Sequence, residues 1–221
     1  MREVRRLLPR HDLLYFADTA YCPYGPRPLT EIRARSLAIG RWLMERGAGL
    51  LLVACNTASS ATLELLRAEL PLPVVGMEPG LKPAVAASRN GRIGVLATSN
   101  TLAGVRFAAL VERHAGGVEM LTQPCPGLVE QVEAGDLDGP ATRALVERYL
   151  QPLLEEIAGP DVTLVDTGPA VAAQVVRVAA RHALPSGSGV VRCWTSGDPA
   201  TVAPVISRLL RENVVVESVS I

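Results

Sequence analysis

The chain has few of the residues that build metal sites and disulfide frameworks. Its 221 residues include only four cysteines and three histidines, and no two cysteines form a CxxC pair. A zinc site is therefore poorly supported, and a disulfide framework is equally unpromising in so apolar a chain. Basic and acidic residues balance at 22 each, so the charge that nucleic acid or anionic lipid attracts is missing too. We expect a small neutral or zwitterionic partner, with no nucleic acid and no membrane.

Long apolar runs and nucleotide motifs are also absent. No run reaches membrane-spanning length, and the segment MREVRRLLPRHD has no signal-peptide hydrophobic region, so we interpret the protein as cytoplasmic. No GxGxxG or GxxxxGK(S/T) loop and no lysine of obvious cofactor type occurs. Nucleotide binding is therefore not indicated.

What the sequence does have is a regular alternation of apolar segments. Hydrophobic residues make up 48% of the chain, which is ample for a packed core. Short continuous apolar runs, typical of buried parallel strands, alternate with segments that have apolar residues every three or four positions. The predicted strands are 13–16, 49–54, 74–75, 93–96, 118–121, 162–165 and 190–194. The predicted helices are 29–46, 58–70, 102–114, 141–157, 170–182 and 199–212. This alternation predicts an α/β fold with parallel sheets.

Prolines and glycines suggest that the chain forms two domains. Four prolines between residues 71 and 83 surround Gly76 and Gly80, where the chain could cross from one domain to the other. The Gly-Ser-Gly segment at residues 187–189 could be the return. We therefore predict a discontinuous first domain, residues 1–78 plus 187–221, and a second domain, residues 79–186.

The most informative segment is LLVACNTASS, residues 51–60. It runs an apolar strand into a Cys-Asn-Thr turn and places Cys55 where a helix begins. The carboxyl end of a strand in an open α/β sheet is the usual ligand position, and a helix start offers unpaired N–H groups and a positive dipole end. Both features favour a thiolate. A small buried core cysteine is the alternative, and the polar Asn56 and Thr57 favour the functional interpretation.

Three other segments follow predicted strands in the same way, namely residues 15–25, 73–84 and 195–199. Carboxyl ends of parallel strands meet at one edge of a sheet, so we expect these segments and residues 54–60 to surround one crevice. The polar groups that they would bring there belong to Thr19, Tyr24, Cys55, Asn56, Thr57, Ser59 and Glu78. Such a set indicates chemistry by side chains on a small polar molecule.

These motifs resemble the aspartate/glutamate racemase family, in the form that glutamate racemases have. The residues that carry the resemblance are 17–19 (ADT), 23–25 (PYG), 54–58 (ACNTA), 76–79 (GMEP), 125–130 (CPGLVE) and 196–199 (SGDP). They occur in the family's order and extend over nearly the whole chain. The CNTASS form is more similar to glutamate enzymes than to aspartate enzymes.

The resemblance implies a fold, an activity and a set of site residues. Two similar α/β lobes would enclose an amino acid, and one cysteine from each lobe would face the α-carbon, without pyridoxal phosphate, metal or other cofactor. The activity implied is interconversion of L-glutamate and D-glutamate for peptidoglycan synthesis, and a homodimer is plausible. Cys55 would be the first cysteine, and Glu78 would lie near the site. The substrate-binding residues implied are Tyr24, Gly25, Asn56 and Thr57.

The chain departs from the family pattern in two places, so we expect a fold that is incomplete relative to the family. The family's opening strand with its Asp-Ser-Gly turn has no counterpart before REVRRLLPRHD. The strand that ends in Gly-Cys-Thr-His-Tyr-Pro is also missing, because residues 149–154 pass through residues 155–160 directly into Asp161. Either the chain is a shortened product, or the sequence omits segments of a longer protein.

The missing strand carries the second catalytic cysteine, and one thiol alone gives exchange with retention of configuration. Cys22, beside the Pro-Tyr-Gly loop, is a candidate substitute, whereas Cys125 and Cys193 are interpreted as structural. Two hypotheses therefore stay open. One is an active glutamate racemase, and the other is a catalytically impaired or silent relative that binds an amino acid or a protein partner.

Overall fold

The computed structural model describes residues 1–157 and 162–221. The chain divides into two compact units, unit one (residues 1–77 and 168–221) and unit two (residues 78–167). The helix over residues 168–181 belongs to unit one because it packs on the helix over residues 2–7 and on the strand over residues 74–76. The sequence places the return to the first domain later, at residue 187, and that domain assignment stays a prediction.

Unit one contains two parallel sheets. Its elements are α1 (Arg2–Leu7), β1 (Leu13–Ala17), α2 (Leu29–Glu45), β2 (Leu51–Val53), α3 (Asn56–Glu69), β3 (Val74–Gly76), α9 (Gly168–Arg181), β6 (Val191–Thr195), α10 (Pro199–Leu210) and β7 (Val216–Ser218). One sheet has the order β1-β6-β7, with Tyr15 opposite Cys193, and the other pairs β2 with β3, with Leu52 opposite Val75.

Helices cover both faces of the strands in unit one. On one face, apolar residues of α2 and α3 pack with Leu51 of β2 and Trp194 of β6 in a single cluster. On the other face, Ala172 and Val175 of α9 join Val4 of α1 in a cluster with residues of β1, β2 and β3. This double coverage explains why the strands have continuous apolar sequences, as buried parallel strands require.

A close approach of α3 to β3 depends on Gly76. A Cβ atom at this position would lie 2.2 Å from Cδ1 of Leu63, a fully buried residue of α3. Because that separation is far below van der Waals contact, only glycine lets the helix pack this tightly on the end of the strand.

Unit two is a smaller α/β arrangement. Its elements are α4 (Leu81–Ala87), β4 (Arg92–Ala97), α5 (Ser99–Leu102), α6 (Val105–His114), β5 (Glu119–Pro124), α7 (Leu128–Glu133) and α8 (Pro140–Ile157). Strands β4 and β5 form a parallel pair in which Val95 lies opposite Thr122. Leu81, Ile93 and Leu110 are buried together in its core.

The parallel α/β fold that the sequence predicts is confirmed, with differences in its elements. The predicted helix 102–114 is two helices that meet at Gly104, the N-cap of α6. The predicted strand 162–165 is wrong. Its residues have no regular secondary structure, no described strand pairs with them, and Leu164 is 88% exposed. An apolar run becomes a strand only where a neighbouring strand can accept its hydrogen bonds.

In the described part of the chain, no helix has both the length and the apolar character needed to cross a membrane.

Candidate active site

Cys55 lies at the N-cap of α3, two residues after β2 ends. Its backbone is extended, and its Sγ accepts a hydrogen bond from the backbone N–H of Ala58 at 3.5 Å. The thiol is half-buried. An N–H group that points at the sulfur, together with the positive end of a 14-residue helix, provides an environment that suits a negative charge on that atom.

Asn56, the first residue of α3, has a buried side-chain oxygen. Within residues 1–157 and 162–221, no hydrogen-bond partner for Oδ1 is found. Buried polar atoms are almost always paired, so an acceptor left open beside a helix N-terminus needs a donor from elsewhere. Thr57, the next residue, is buried.

Ser59 holds the start of α3 against the ends of two strands. Its hydroxyl donates to the carbonyl of Val53 at 3.0 Å and accepts from the backbone N–H of Met77 at 2.9 Å, and the residue is fully buried. The Cys-Asn-Thr turn is thereby fixed to the carboxyl ends of both β2 and β3. The sequence predicts that segments 54–60 and 73–84 are neighbours, and Ser59 is in direct contact with Met77 of the second segment.

Asp18, directly after β1, accepts hydrogen bonds from Arg35 and Tyr24. Nε and Nη2 of Arg35 donate to Oδ2 and Oδ1 at 3.1 and 2.6 Å, and the hydroxyl of Tyr24 donates to Oδ2 at 2.5 Å. The hydroxyl of Ser196 also favours the charged form of this carboxylate. Although burial opposes ionisation, these donors and the charge of Arg35 hold the pKa of Asp18 below its usual value.

The loop after β6 joins this cluster. The hydroxyls of Thr19 and Thr195 lie 2.6 Å apart, and the backbone N–H of Ala20 donates to Oγ of Ser196 at 3.1 Å. A Cβ atom at Gly197 would lie 2.3 Å from Oγ1 of Thr19, so this loop can approach only as glycine. Segments 15–25 and 195–199 are therefore in contact, as the sequence predicts.

Tyr24 is held in this cluster by its hydrogen bond to Asp18. Burial, the hydrogen bond to Asp18 and the charge of that carboxylate raise the pKa of Tyr24 well above its usual value, and the nearby Cys55 adds a smaller effect in the same direction. The neutral phenol is thus the stable form, with its proton directed at Asp18. Gly25, which follows it, is half-buried.

The remaining candidates lie in different surroundings. Glu78, in unit two, is half-exposed and accepts a hydrogen bond from Nη2 of Arg106 at 2.9 Å. Cys22 is half-buried in the loop before Tyr24. Cys125 and Cys193 are buried, and burial raises the pKa of both thiols. Neither buried thiol is suited to act as a base near neutral pH.

No cluster of three metal-binding side chains occurs within the described ranges 1–157 and 162–221. An open pocket of about 480 Å³ lies in unit one at the amino ends of β6 and β7, where Arg5, Cys193 and Glu212 line it. It contains none of the predicted site residues.

Sequence reasoning did not identify Arg35 as part of the site, and it used Asp18 only as a motif residue. A signal for Arg35 was available, because it lies on the apolar face of α2, three residues after the fully buried Ile32. A charged residue on such a face needs a buried partner of opposite charge. Asp18, in the Ala-Asp-Thr turn after β1, is that partner.

Taken together, the site in unit one has a thiol at a helix N-terminus, an open amide oxygen and a neutral phenol held by a buried ion pair. A thiolate there could remove a proton from a carbon acid whose cationic and anionic ends are fixed by the amide oxygen and by backbone N–H groups.

Comparison with known proteins agrees with this geometry. A family profile described as Asp/Glu/Hydantoin racemase matches residues 1–164. Glutamate racemase from Pseudomonas aeruginosa is 47% identical over 230 residues, which cover 93% of this chain and 87% of that protein. Glutamate racemase from Methylococcus capsulatus is 46% identical over 227 residues, covering 92% of this chain and 83% of that protein.

Solved structures show the same fold. Glutamate racemase isoform RacE1 from Bacillus anthracis superposes with a TM-score of 0.87 at 25% identity, covering 99% of this chain and 91% of that one. Glutamate racemase from Escherichia coli, in complex with L-glutamate and the activator UDP-MurNAc-ala, gives 0.84 at 27% identity, covering 99% and 92%. The sequence matches and the fold establish that this chain belongs to the Asp/Glu/hydantoin racemase family.

Proposed function

We propose that this chain is a cofactor-independent glutamate racemase in which Cys55 exchanges the α-proton on one face of the substrate. The observation that carries the proposal is the position of Cys55, which follows β2 and whose sulfur accepts the Ala58 N–H at the start of α3. Relatives at 43–47% identity over most of the chain are glutamate racemases.

The chemistry needs a base that can reach a very weak carbon acid. The Cys55 thiolate takes the α-proton, and the electron pair of the broken C–H bond stays on the α-carbon, delocalised into the adjacent carboxylate. A proton that returns to the opposite face inverts the centre, whereas a proton that returns from Cys55 restores it. Cys55 therefore accounts for one face of the reaction.

Substrate binding is assigned to the groups around the thiol. The open Oδ1 of Asn56 is an acceptor suited to the substrate ammonium group. The unpaired N–H groups of the first turn of α3 suit its carboxylate. Tyr24, Gly25 and Thr57 complete the binding surface in this proposal, and Glu78 and Cys22 are assigned to its surroundings.

The biological role proposed for the protein follows from its assignment as a glutamate racemase. By its family, the protein would supply D-glutamate for peptidoglycan synthesis in the cytoplasm. The Escherichia coli relative was solved with L-glutamate bound, which supports glutamate as the substrate here. We propose a homodimer as its assembly.

A second candidate is a relative that binds glutamate but does not racemise it. Two of the four cysteines, Cys125 and Cys193, are buried thiols with raised pKa values, so neither is a ready partner for Cys55. With a single working thiol, the protein would exchange the α-proton and retain configuration.

One experiment separates these functions. The full chain is incubated with L-glutamate in deuterated water, and optical rotation is followed together with α-deuteration by NMR. A racemase loses rotation while deuterium enters, and a one-base enzyme incorporates deuterium at constant rotation. If rotation and α-deuterium both stay constant while glutamate still binds, the protein is only a binder and the proposed racemase activity is wrong.

A further inference from the structure

Helix α2 buries one arginine on its apolar face. Arg35 and Asp18 each have only 9% of the side chain exposed, and the guanidinium donates to both carboxylate oxygens. The guanidinium carbon also lies 3.9 Å from the centre of the Tyr21 ring. A two-point bond of this kind fixes the plane of the carboxylate as well as its position, which a single ammonium group cannot do.

The carboxylate fixed in this way holds the loop that contains Tyr24. Tyr24 donates its hydroxyl to Oδ2 of Asp18. Because the Tyr24 proton is used in this bond, the phenol cannot turn without breaking it. The orientation of the Tyr24 side chain is therefore set from α2, through Asp18.

We propose that Arg35 is a positioning residue for the reaction, acting through Asp18 on Tyr24 without touching the substrate. The inference rests on the proposed function, in which Tyr24 and Gly25 bind the substrate. Arg35 sets the distance between the substrate's charged end and the Cys55 sulfur, so its loss displaces the substrate while leaving the thiol in place.

Arg41, on the same helix, provides a matched control. Its Nη2 pairs with Oε2 of Glu69 at 2.9 Å, but both side chains are about half exposed, at 52% and 45%. This pair belongs to the solvated surface, where an ion pair has little effect. Arg35→Lys and Arg41→Lys make the same chemical change in these two environments.

Kinetics of α-deuteration on the full chain test the proposal. We expect Arg35→Lys to raise KM for glutamate about tenfold with a smaller change in kcat, since a misplaced positioning group costs one to two orders of magnitude. Arg41→Lys should leave both constants unchanged. Tyr24→Phe should raise KM similarly, and combining it with Arg35→Lys should add little, because both changes interrupt one chain of contacts. If the double variant raises KM by the product of the two single increases, the proposal is wrong.

A spectroscopic measurement gives a readout that does not depend on activity. The four tyrosines are labelled with 3-fluorotyrosine, and the Tyr24 resonance is assigned by its loss in Tyr24→Phe. Arg35→Lys should shift this resonance and Arg41→Lys should not. If the Tyr24 resonance does not move in a folded Arg35→Lys variant, Arg35 does not position Tyr24 and the proposal is wrong. If the resonance moves but the wild-type protein neither binds nor exchanges glutamate, the proposed function fails and the link from Arg35 to Tyr24 stands.

The proposal can still be tested if the Arg35→Lys variant does not fold. Tyr24→Phe keeps the ion pair of Arg35 and Asp18 and removes only the terminal hydrogen bond. If Arg35→Lys is too unstable to assay, Tyr24→Phe with an unchanged KM overturns the proposal, and a tenfold rise supports it.

Discussion

Cys55 and Cys125 occupy similar places in the two units but have opposite hydrogen-bonding roles. Each follows the carboxyl end of a strand and precedes a helix, β2 and α3 for Cys55 and β5 and α7 for Cys125. The Cys55 sulfur accepts an N–H from α3, whereas the Cys125 sulfur donates to the carbonyl of Gln123 at 3.3 Å. Cys125 is also buried, and burial raises its pKa.

The difference shows that position at a strand end does not by itself make a thiol reactive. A sulfur that accepts an N–H hydrogen bond lies in surroundings that suit a negative charge. A sulfur that donates a hydrogen bond to a carbonyl is stabilised as the neutral thiol. The two units also differ in how their strand-end loops are held. In unit one a buried ion pair holds the hydroxyl of Tyr24 through Asp18, and in unit two the turn with Cys125 is held by a neutral hydrogen bond from Tyr149 to the carbonyl of Pro126.

The largest expected effect comes from removing each sulfur in turn. Cys55→Ala should lower the rate of α-deuteration of glutamate by about 10³-fold, because it removes the group that takes the proton. Cys125→Ala should change the rate less than twofold, because its thiol serves packing. Both rates are measured by NMR in deuterated water at saturating glutamate.

Equal losses in the two variants would break the comparison, since they would show that either thiol is needed only for folding. Circular dichroism spectra and melting temperatures of both variants provide the control. If α-deuteration of glutamate survives in Cys55→Ala, another residue acts as the base.

The second effect concerns the ion pair of Arg35 and Asp18, which holds the hydroxyl of Tyr24. Asp18→Asn leaves the buried Arg35 without its counter-charge and should destabilise the protein by about 3 kcal/mol, as loss of one partner of a buried pair does. Urea unfolding at pH 7 measures this loss. Glu69→Gln, which breaks the exposed pair with Arg41, is the control and should cost less than about 1 kcal/mol.

The pH dependence of this effect has a definite sign. Because the folded state lowers the pKa of Asp18, the stabilisation is complete above its unfolded value of about 4 and is lost as pH falls through the lower folded value. The difference in unfolding free energy between wild type and Asp18→Asn should therefore shrink progressively below about pH 4. A difference that stays constant from pH 7 down to the acid limit would show that the ionised pair does not provide the stabilisation.

The same residues show how far the sequence could predict the structure. Cys55 was placed correctly at a helix start because strand, turn and helix are consecutive, and local patterns determine such a junction. Arg35 was missed as a site residue because its partner is 17 positions away, and a periodic pattern alone does not identify a partner. Local sequence also cannot supply a neighbouring strand, which explains the wrong strand at 162–165 and the missed β7, a three-residue strand defined by its pairing with β6.

The smallest expected effect concerns the hydrogen bond from Tyr149 that supports the turn with Cys125. Tyr149 is buried, and its hydroxyl donates to the carbonyl of Pro126 at 2.5 Å. Tyr149→Phe should destabilise the protein by about 1 kcal/mol, the usual worth of one neutral hydrogen bond, with no effect on α-deuteration. Labelling with a thiol reagent, followed by peptide mass spectrometry, sharpens the result. Cys125 should react faster once its turn is loosened, while Cys55 should react at the wild-type rate. A faster reaction at Cys55 would mean that the two turns are coupled, and the two thiols could then no longer be compared as independent sites.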